Sequence, residues 1–107
     1  MELTDEKIAE LKQKHGQSLI AVTAPSGEQI VLRKPSKAAW ADFVDTVNRD
    51  KGSRYACNER LVLSCVVYPE TTAAAAVFTE WPAFAQAVSG EVATLAGAQD
   101  ELAVKKL

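Results

Sequence analysis

The 107 residues suit one domain, and a composition of 48% apolar and 24% charged residues excludes general disorder. The net charge of −2 argues against the strongly basic face that nucleic-acid binding requires, so no nucleic-acid partner is expected. No apolar run reaches the roughly 18 residues that span a membrane, and the acidic start of the chain does not resemble a signal peptide. These features predict a cytoplasmic protein without a membrane partner.

The predicted fold class is α+β, mainly α: a small helical domain of four to five helices with an N-terminal β-hairpin. A single domain is expected over residues 1–107, because the sequence shows no internal repeat and no linker. Its predicted parts are a mobile, weakly held helix at 1–16, the hairpin at 18–33, a helical core at 36–97 and a fraying helical tail at 98–107.

The first predicted helix has a clear start and stop but a narrow apolar stripe. Thr4 is expected to cap it, and His15 with Gly16 marks its last turn and its C-terminal stop. Ile8 and Leu11 carry most of its apolar surface. Packing should therefore hold this helix weakly.

The hairpin is predicted from two β-rich runs, at 18–24 and 28–33, that flank Pro25-Ser26-Gly27. Proline presets the first turn position and glycine supplies a positive φ. A lone hairpin is marginal in water, so its apolar residues are expected to cover a helix or to pair with another chain. Val22 is a candidate partner-binding residue, because a free strand edge is a template for pairing and for self-association.

The second predicted helix is the most clearly amphipathic segment of the chain. Ser36 is expected to cap it, and Lys51-Gly52 to end it. Its apolar residues recur at positions i, i+3, i+4 and i+7, and they are Trp40, Phe43, Val44 and Val47. This spacing predicts one face packed on the core.

The run at 61–68 organises the core, since Ser64 is its only polar residue. A run of this length is consistent with a buried strand or a buried helix. Helix is favoured, because residues 54–60 lead into it without a breaker and the combined length is long for a strand. On this helix, Val62, Cys65 and Val66 are expected to be nearly fully buried. They should pack against the second predicted helix, which carries Trp40, and against a later predicted helix, which carries Phe84. Ser53 is its expected cap and Pro69 its stop.

Two further helices are predicted before the tail. Thr71 or Thr72 is expected to cap an alanine-rich helix, which Trp81-Pro82 breaks because a residue before proline avoids the α region. Pro82 suits the first turn of the next helix, and Gly97 ends it. The apolar stripe of that helix is Phe84, Val88, Val92 and Leu95.

No catalytic, cofactor-binding or metal-ligating residue is predicted, and neither a cofactor nor an enzymatic activity is expected. Cys57 and Cys65 would lie about 12 Å apart along a helix at ~1.5 Å per residue, beyond the roughly 7 Å that a disulfide allows. Both are predicted to be free, buried thiols. His15 has no cluster of ligands around it and is expected to lie at the surface.

Trp81 is the most informative aromatic residue, because it lies at a helix break beside Pro82 and Phe84. Such a ring either closes the core or forms an exposed anchor for a partner. Core closure is the favoured interpretation, and Trp81 and Phe84 are the candidates if this surface binds a partner. Glu59-Arg60 is interpreted as the solvated end of its helix.

Three stretches of the chain together resemble the small tail assembly chaperones of long-tailed bacteriophages. In that family a strand leads through an R-x-P-like step into a helix, a buried helix ends in proline, and a final helix ends near a small-residue stop. The corresponding stretches here are residues 31–43, which include Arg33-Lys34-Pro35, then 59–69, and then 81–97. The resemblance covers roughly residues 18–97.

The resemblance implies a non-enzymatic protein in the cytoplasm of the bacterial host. It would bind the phage tape measure protein, and the tail tube protein is a further candidate partner. It would help the tail tube to assemble around the tape measure protein and then dissociate. Self-association into a homo-oligomer is expected. The alternative function is a structural tail or head-tail component that is retained in the virion. A small enzyme with an unrecognised pocket is a third hypothesis, and a DNA-bound regulator is disfavoured by the charge.

Overall fold

The computed structural model describes residues 3–16, 18–49, 54–98 and 103–107, and it has the expected α+β class. The elements in these residues are, in chain order, α1 (Asp5–His15), β1 (Leu19–Thr23), β2 (Gln29–Arg33), α2 (Lys37–Arg49), α3 (Arg54–Cys65), β3 (Val66–Tyr68), α4 (Thr71–Glu80) and α5 (Pro82–Leu95). As predicted, an N-terminal hairpin is followed by helices. The described residues contain one strand more than expected.

The additional strand, β3, corrects the helix prediction for the end of the central apolar run. α3 ends at Cys65, and β3 pairs antiparallel with β2, giving the sheet order β1-β2-β3 within the described residues. An apolar run satisfies a buried helix or a buried strand equally, and β2 offers backbone groups that need partners. The helix prediction for Val66–Tyr68 is therefore wrong, and Val66 is only half-buried. Val62 and Cys65 are buried as predicted, with 0% and 1% of their surfaces exposed.

The hairpin turn forms as predicted. The Gly27 amide donates to the Ala24 carbonyl oxygen at 2.9 Å, which places Pro25 and Ser26 at the centre of the turn. Gly27 has a φ of +99°, a conformation that residues with a Cβ rarely adopt. The Ala24 amide then donates to the Glu28 carbonyl oxygen at 2.8 Å and begins the β1-β2 ladder.

The sheet lies between α1 on one face and the other helices on the opposite face. The main core lies on the helix-rich face, where Ile30 and Leu32 of β2 meet side chains of α3, α4 and α5. The fully buried members of these helices are Val62, Cys65, Ala74, Phe78, Ala85, Val88 and Val92, together with Leu61 at 4% exposure. On the other face, Leu11 of α1 packs on Val31 and Tyr68 in a smaller cluster.

Capping explains where two of the helices begin. The Lys7 amide donates to Thr4 Oγ1 at 3.1 Å, and the Ala39 amide donates to Ser36 Oγ at 3.1 Å, as predicted. The capping prediction for Thr71 or Thr72 is wrong. Glu70 occupies the N-cap of α4 and its side chain makes no capping hydrogen bond, because the chain turns into the helix directly after Pro69.

The helix ends also follow local signals. Gly16 ends α1, and Gly97 follows α5 with a φ of +105° and donates its amide to the Thr94 carbonyl oxygen. Residues 103–107 form no helix, so the prediction of a helical tail fails there. Three further predictions lie outside the described residues. They are the helical tail at 99–102, the stop at Lys51-Gly52 and the cap at Ser53.

α2 packs against α3 but remains at the surface. Trp40 and Phe43 are half-buried and lie with their ring centroids 5.3 Å apart. Val44, on the same predicted stripe, is 39% exposed. No residue along the described α2 is fully buried, because this helix meets one layer of the fold and has solvent on its other sides.

Candidate partner-binding site

A small apolar groove lies where the tip of the hairpin meets the break between α4 and α5. Its volume is about 370 Å³, and its lining residues are Pro25, Trp81, Pro82, Ala83 and Phe84. None of these lining residues carries a charge. We call this feature the Trp81 groove. It brings together Trp81 and Phe84, the two aromatic residues predicted as candidates.

The backbone at the helix break fixes the position of Trp81. Its φ of −124° and ψ of 73° lie outside the helical region, as the following proline requires. Its amide donates to the Val77 carbonyl oxygen at 2.9 Å, and its own carbonyl oxygen accepts from the Phe84 amide at 3.0 Å. Trp81 is therefore both the C-cap residue of α4 and the N-cap residue of α5.

A chain of side-chain hydrogen bonds fixes the indole ring as well. Trp81 Nε1 donates to Ser26 Oγ at 3.1 Å, and the Ser26 hydroxyl donates to the Glu28 carboxylate. The hydrogen bond from Ser26 is the largest cause of the lowered pKa of Glu28, followed by one from its own backbone amide. Because the pKa of Glu28 is lower in the folded chain, this hydrogen bond stabilises the hairpin tip at pH values above the ordinary pKa of 4.5. The contribution is lost as the pH falls through the lowered pKa of the folded chain.

Phe84 joins the groove to the core. It is half-buried, and its ring centroid lies 5.9 Å from that of Phe78, which is 1% exposed. One side of Phe84 therefore packs on the core while it also lines the groove. Truncating Phe84 would disturb both, so Trp81 is the cleaner position at which to test binding.

Tyr55 lies beside this site and was not singled out by its sequence pattern. Its hydroxyl donates to the Pro82 carbonyl oxygen at 3.0 Å, and 41% of the residue is exposed. A neighbouring bond from Asn58 Nδ2 to Gln86 Oε1 at 2.8 Å also joins α3 to α5. These hydrogen bonds join residues at least 27 positions apart in the sequence. The periodicity of α3 alone therefore does not predict them.

Val22 lies apart from the Trp81 groove. Its side chain is half-buried and packs against the main core. Val22 is paired with Ile30 in the β1-β2 ladder. Its place on an edge strand is as predicted, while its side chain contributes mainly to the attachment of the hairpin to the helices.

A second cleft lies between α2 and α3 and has a volume of about 150 Å³. Arg60 Nη2 lies 3.1 Å from Asp42 Oδ2 and 2.8 Å from Thr46 Oγ1 across this cleft. The side chains of Arg60 and Asp42 are 60% and 63% exposed, so water screens the pair. This bridge tethers α2 to α3 and contributes about 0–1 kcal/mol.

The acidic and metal-ligating side chains that the structure describes do not converge on one site. Within the described residues, no three His, Cys, Asp or Glu side chains are placed to hold a metal ion. His15 is exposed at the end of α1, as predicted. None of the helices in the described part of the chain has the combined length and hydropathy needed to cross a membrane.

We predict that both thiols react slowly in the folded protein. Cys57 and Cys65 are free, as expected, and they are 5% and 1% exposed. Burial is the largest influence on the Cys65 thiol and raises its pKa, which reduces the reactive thiolate. Alkylation followed by peptide mass spectrometry should show slow modification without denaturant, with Cys57 modified first because it lines the α2–α3 cleft. Rapid alkylation of Cys65 in native buffer would contradict its buried placement.

The chain belongs to the DUF6848 family, a domain of unknown function, which matches residues 11–105. A solved structure with a similar fold is that of an uncharacterised protein from Bacillus stearothermophilus, rbstp2171, with a TM-score of 0.75 and 18% sequence identity. The similarity covers 92% of this chain and 99% of that chain, and it establishes a shared fold. No curated protein matches the chain.

Proposed function

We propose that this member of the DUF6848 family is a phage tail assembly chaperone. It binds an apolar helical segment of the tape measure protein in the Trp81 groove, assists tail tube assembly in the cytoplasm of the bacterial host, and then dissociates. The observation that carries the proposal is an open groove with apolar walls, in which hydrogen bonds hold a tryptophan ring in place before any partner arrives.

The size and chemistry of the groove suit one class of partner. A volume of about 370 Å³ accommodates one or two large apolar side chains and is too small for a long segment. An amphipathic helix presents such side chains at i, i+3 or i+4, and it binds grooves of this kind through a few anchors. Tryptophan is enriched among residues that dominate binding energy.

The preorganised ring lowers the entropic cost of binding, because Trp81 does not have to be ordered when the client arrives. The small apolar area limits the affinity. Together these features suit a protein that captures a client quickly and releases it once the tube encloses it. The resemblance of residues 31–43, 59–69 and 81–97 to tail assembly chaperones supports the choice of client.

Peptides tiled along the tape measure protein of the same phage or prophage provide the direct binding test. Titration of the chain with each peptide should identify a few that shift the tryptophan emission, and these peptides should carry apolar residues at helical spacing. A matched peptide with those residues replaced by lysine serves as the control. If no peptide binds, or if the lysine peptides bind equally well, the proposed client site is wrong.

Mass spectrometry of purified virions distinguishes the proposal from the alternative structural role. A chaperone leaves after assembly and should be absent from the particle. Stoichiometric amounts of this chain in the virion would instead identify a tail or head-tail component.

A further inference from the structure

One edge of the sheet lacks the features that usually prevent edge strands from pairing. β1 is five residues long, Leu-Ile-Ala-Val-Thr, with no charged residue and no proline. Its pairing with β2 is regular over all five positions. Monomeric proteins usually protect edge strands with lysine, proline, bulges or short length, because exposed backbone groups are templates for another strand.

The opposite edge of the sheet has these protective features. β3 has three residues and is followed directly by Pro69, and its register with β2 shifts between Val31 and Leu32. A short strand with an irregular register that ends at proline offers little to a partner. The two edges therefore differ, and β1 is the edge that remains suited to pairing.

The ladder identifies which backbone groups of β1 face outward. Hydrogen bonds join Ala24 to Glu28 and Ser18 to Lys34 at the two ends of the hairpin. In an antiparallel ladder the residues bonded to the neighbouring strand alternate, so Ile20 and Val22 also bond to β2. The backbone groups of Leu19, Ala21 and Thr23 consequently point to the free edge, and no described strand pairs with them.

We propose that β1 pairs with β1 of a second copy of this chain, antiparallel and about a two-fold axis at Ala21, so that the two sheets become one. This register pairs all five residues of β1. Leu19 lies opposite Thr23 of the second copy, and Ile20 lies opposite Val22 of the second copy. The latter is a β-branched pair on the core-facing side, where both residues are only half-buried.

The charges around the edge favour this antiparallel arrangement. Arg33 is paired with Leu19, and Lys34 is bonded to Ser18, so both basic residues lie at the start of β1. Lys12 of α1 adds a third positive charge to this region, because it lines the groove between α1 and β1. The acidic Glu28 lies at the other end of β1, opposite Ala24. A two-fold axis at Ala21 brings the basic end of each copy towards the acidic end of the other, which steers association.

A second apolar groove enlarges the interface beyond the strand edge. It lies between α1 and β1, has a volume of about 210 Å³, and includes Ile8, Leu11 and Ala21 among its lining residues. The exposed side chains Ala21 and Thr23 of the second copy would lie on the α1 side of the joined sheet, next to this groove. A five-residue edge and a groove of this size bury less than the roughly 800 Å² per partner of a standard interface. The dimer is therefore expected to be weak and reversible.

Amide hydrogen exchange measured by NMR tests the pairing with controls within one strand. The Ile20 and Val22 amides should be protected at every protein concentration, because they bond to β2. The Ala21 and Thr23 amides should exchange quickly in dilute solution and become protected as concentration rises. Outward amides that exchange equally fast at all concentrations would overturn the proposal. Protection that appears only when tape measure peptides are added would also overturn it and would assign the edge to the client.

Sedimentation of two variants at one position provides a second test. Ala21→Lys places two ammonium groups opposite each other at the two-fold axis, and it should weaken dimerisation by at least tenfold. Ala21→Thr places an uncharged β-branched residue there and should leave dimerisation equal or stronger. Ala21 is exposed in the monomer, so both variants should melt like the parent chain. Equal dimerisation of the lysine and threonine variants would contradict pairing about Ala21.

Discussion

Replacing Val62 with aspartate is expected to unfold the domain. Val62 has no exposed surface and lies on α3 at the centre of the main core, where α3 packs against both α2 and α5. A buried carboxylate there has no described basic partner, and its effective penalty is several kcal/mol. The substitution also removes the burial of a valine side chain, which contributes roughly 1.5–3 kcal/mol. The sum is comparable with the roughly 5–15 kcal/mol that stabilises a typical domain.

Circular dichroism during a thermal scan measures this effect. Val44→Asp is the matched control, because it makes the same chemical change on α2 at a residue that is 39% exposed. The control should keep its helical signal and melt within a few degrees of the parent chain, whereas Val62→Asp should show no cooperative transition. A soluble Val62→Asp protein with a cooperative transition would show that the core is assigned incorrectly.

Replacing Trp81 with alanine is expected to abolish most client binding while leaving the domain folded. Trp81 is half-buried at the groove and lies outside the set of fully buried core residues. Truncating an aromatic anchor of an interface typically removes at least about 2 kcal/mol of binding free energy, which is roughly a 30-fold increase in Kd. The folded domain also loses the hydrogen bond to Ser26, at about 1 kcal/mol, and the buried part of the indole surface, at roughly 25 cal/mol per Å².

Two further variants separate the apolar surface of Trp81 from its orientation. Trp81→Phe keeps an aromatic ring but loses the indole N–H, and Ser26→Ala keeps the whole indole but removes its acceptor. Both should weaken peptide binding by only a few-fold, because the wall of the groove remains while its preorganisation is lost. Isothermal titration with the peptide that binds best measures all four proteins. If Trp81→Ala binds that peptide as tightly as the parent chain, the groove is not the client site.

Local signals in the sequence predicted most of the elements. Thr4, Ser36 and the Pro25-Ser26-Gly27 turn depend on hydrogen bonds within a few residues, so their effects can be read from the chain directly. The break at Trp81-Pro82 is equally local, because it follows from steric restriction by proline. These predictions are confirmed.

Two of the failures concern interactions between distant parts of the chain. β3 forms because β2, more than 30 residues earlier, presents an edge to Val66–Tyr68, and an apolar run alone does not reveal that edge. Val44 belongs to a regular amphipathic stripe, yet it is exposed because α2 packs at the surface.

The candidate site shows the same division. Trp81 and Phe84 could be selected from the sequence because an aromatic pair beside a helix-breaking proline is a local pattern. The hydrogen bond from Trp81 to Ser26 spans 55 residues, and Tyr55 reaches Pro82 across 27. The ring that the sequence identified is thus held by partners that only the fold brings together.

Co-expression with the full-length tape measure protein tests the proposed function most directly. The measured quantity is the fraction of tape measure protein that remains soluble after lysis, compared among cells with the parent chain, with Trp81→Ala and with no added chain. We predict a large soluble fraction with the parent chain, and a fraction with Trp81→Ala close to that without any chain. If the tape measure protein is equally insoluble with and without the parent chain, the chaperone function is contradicted.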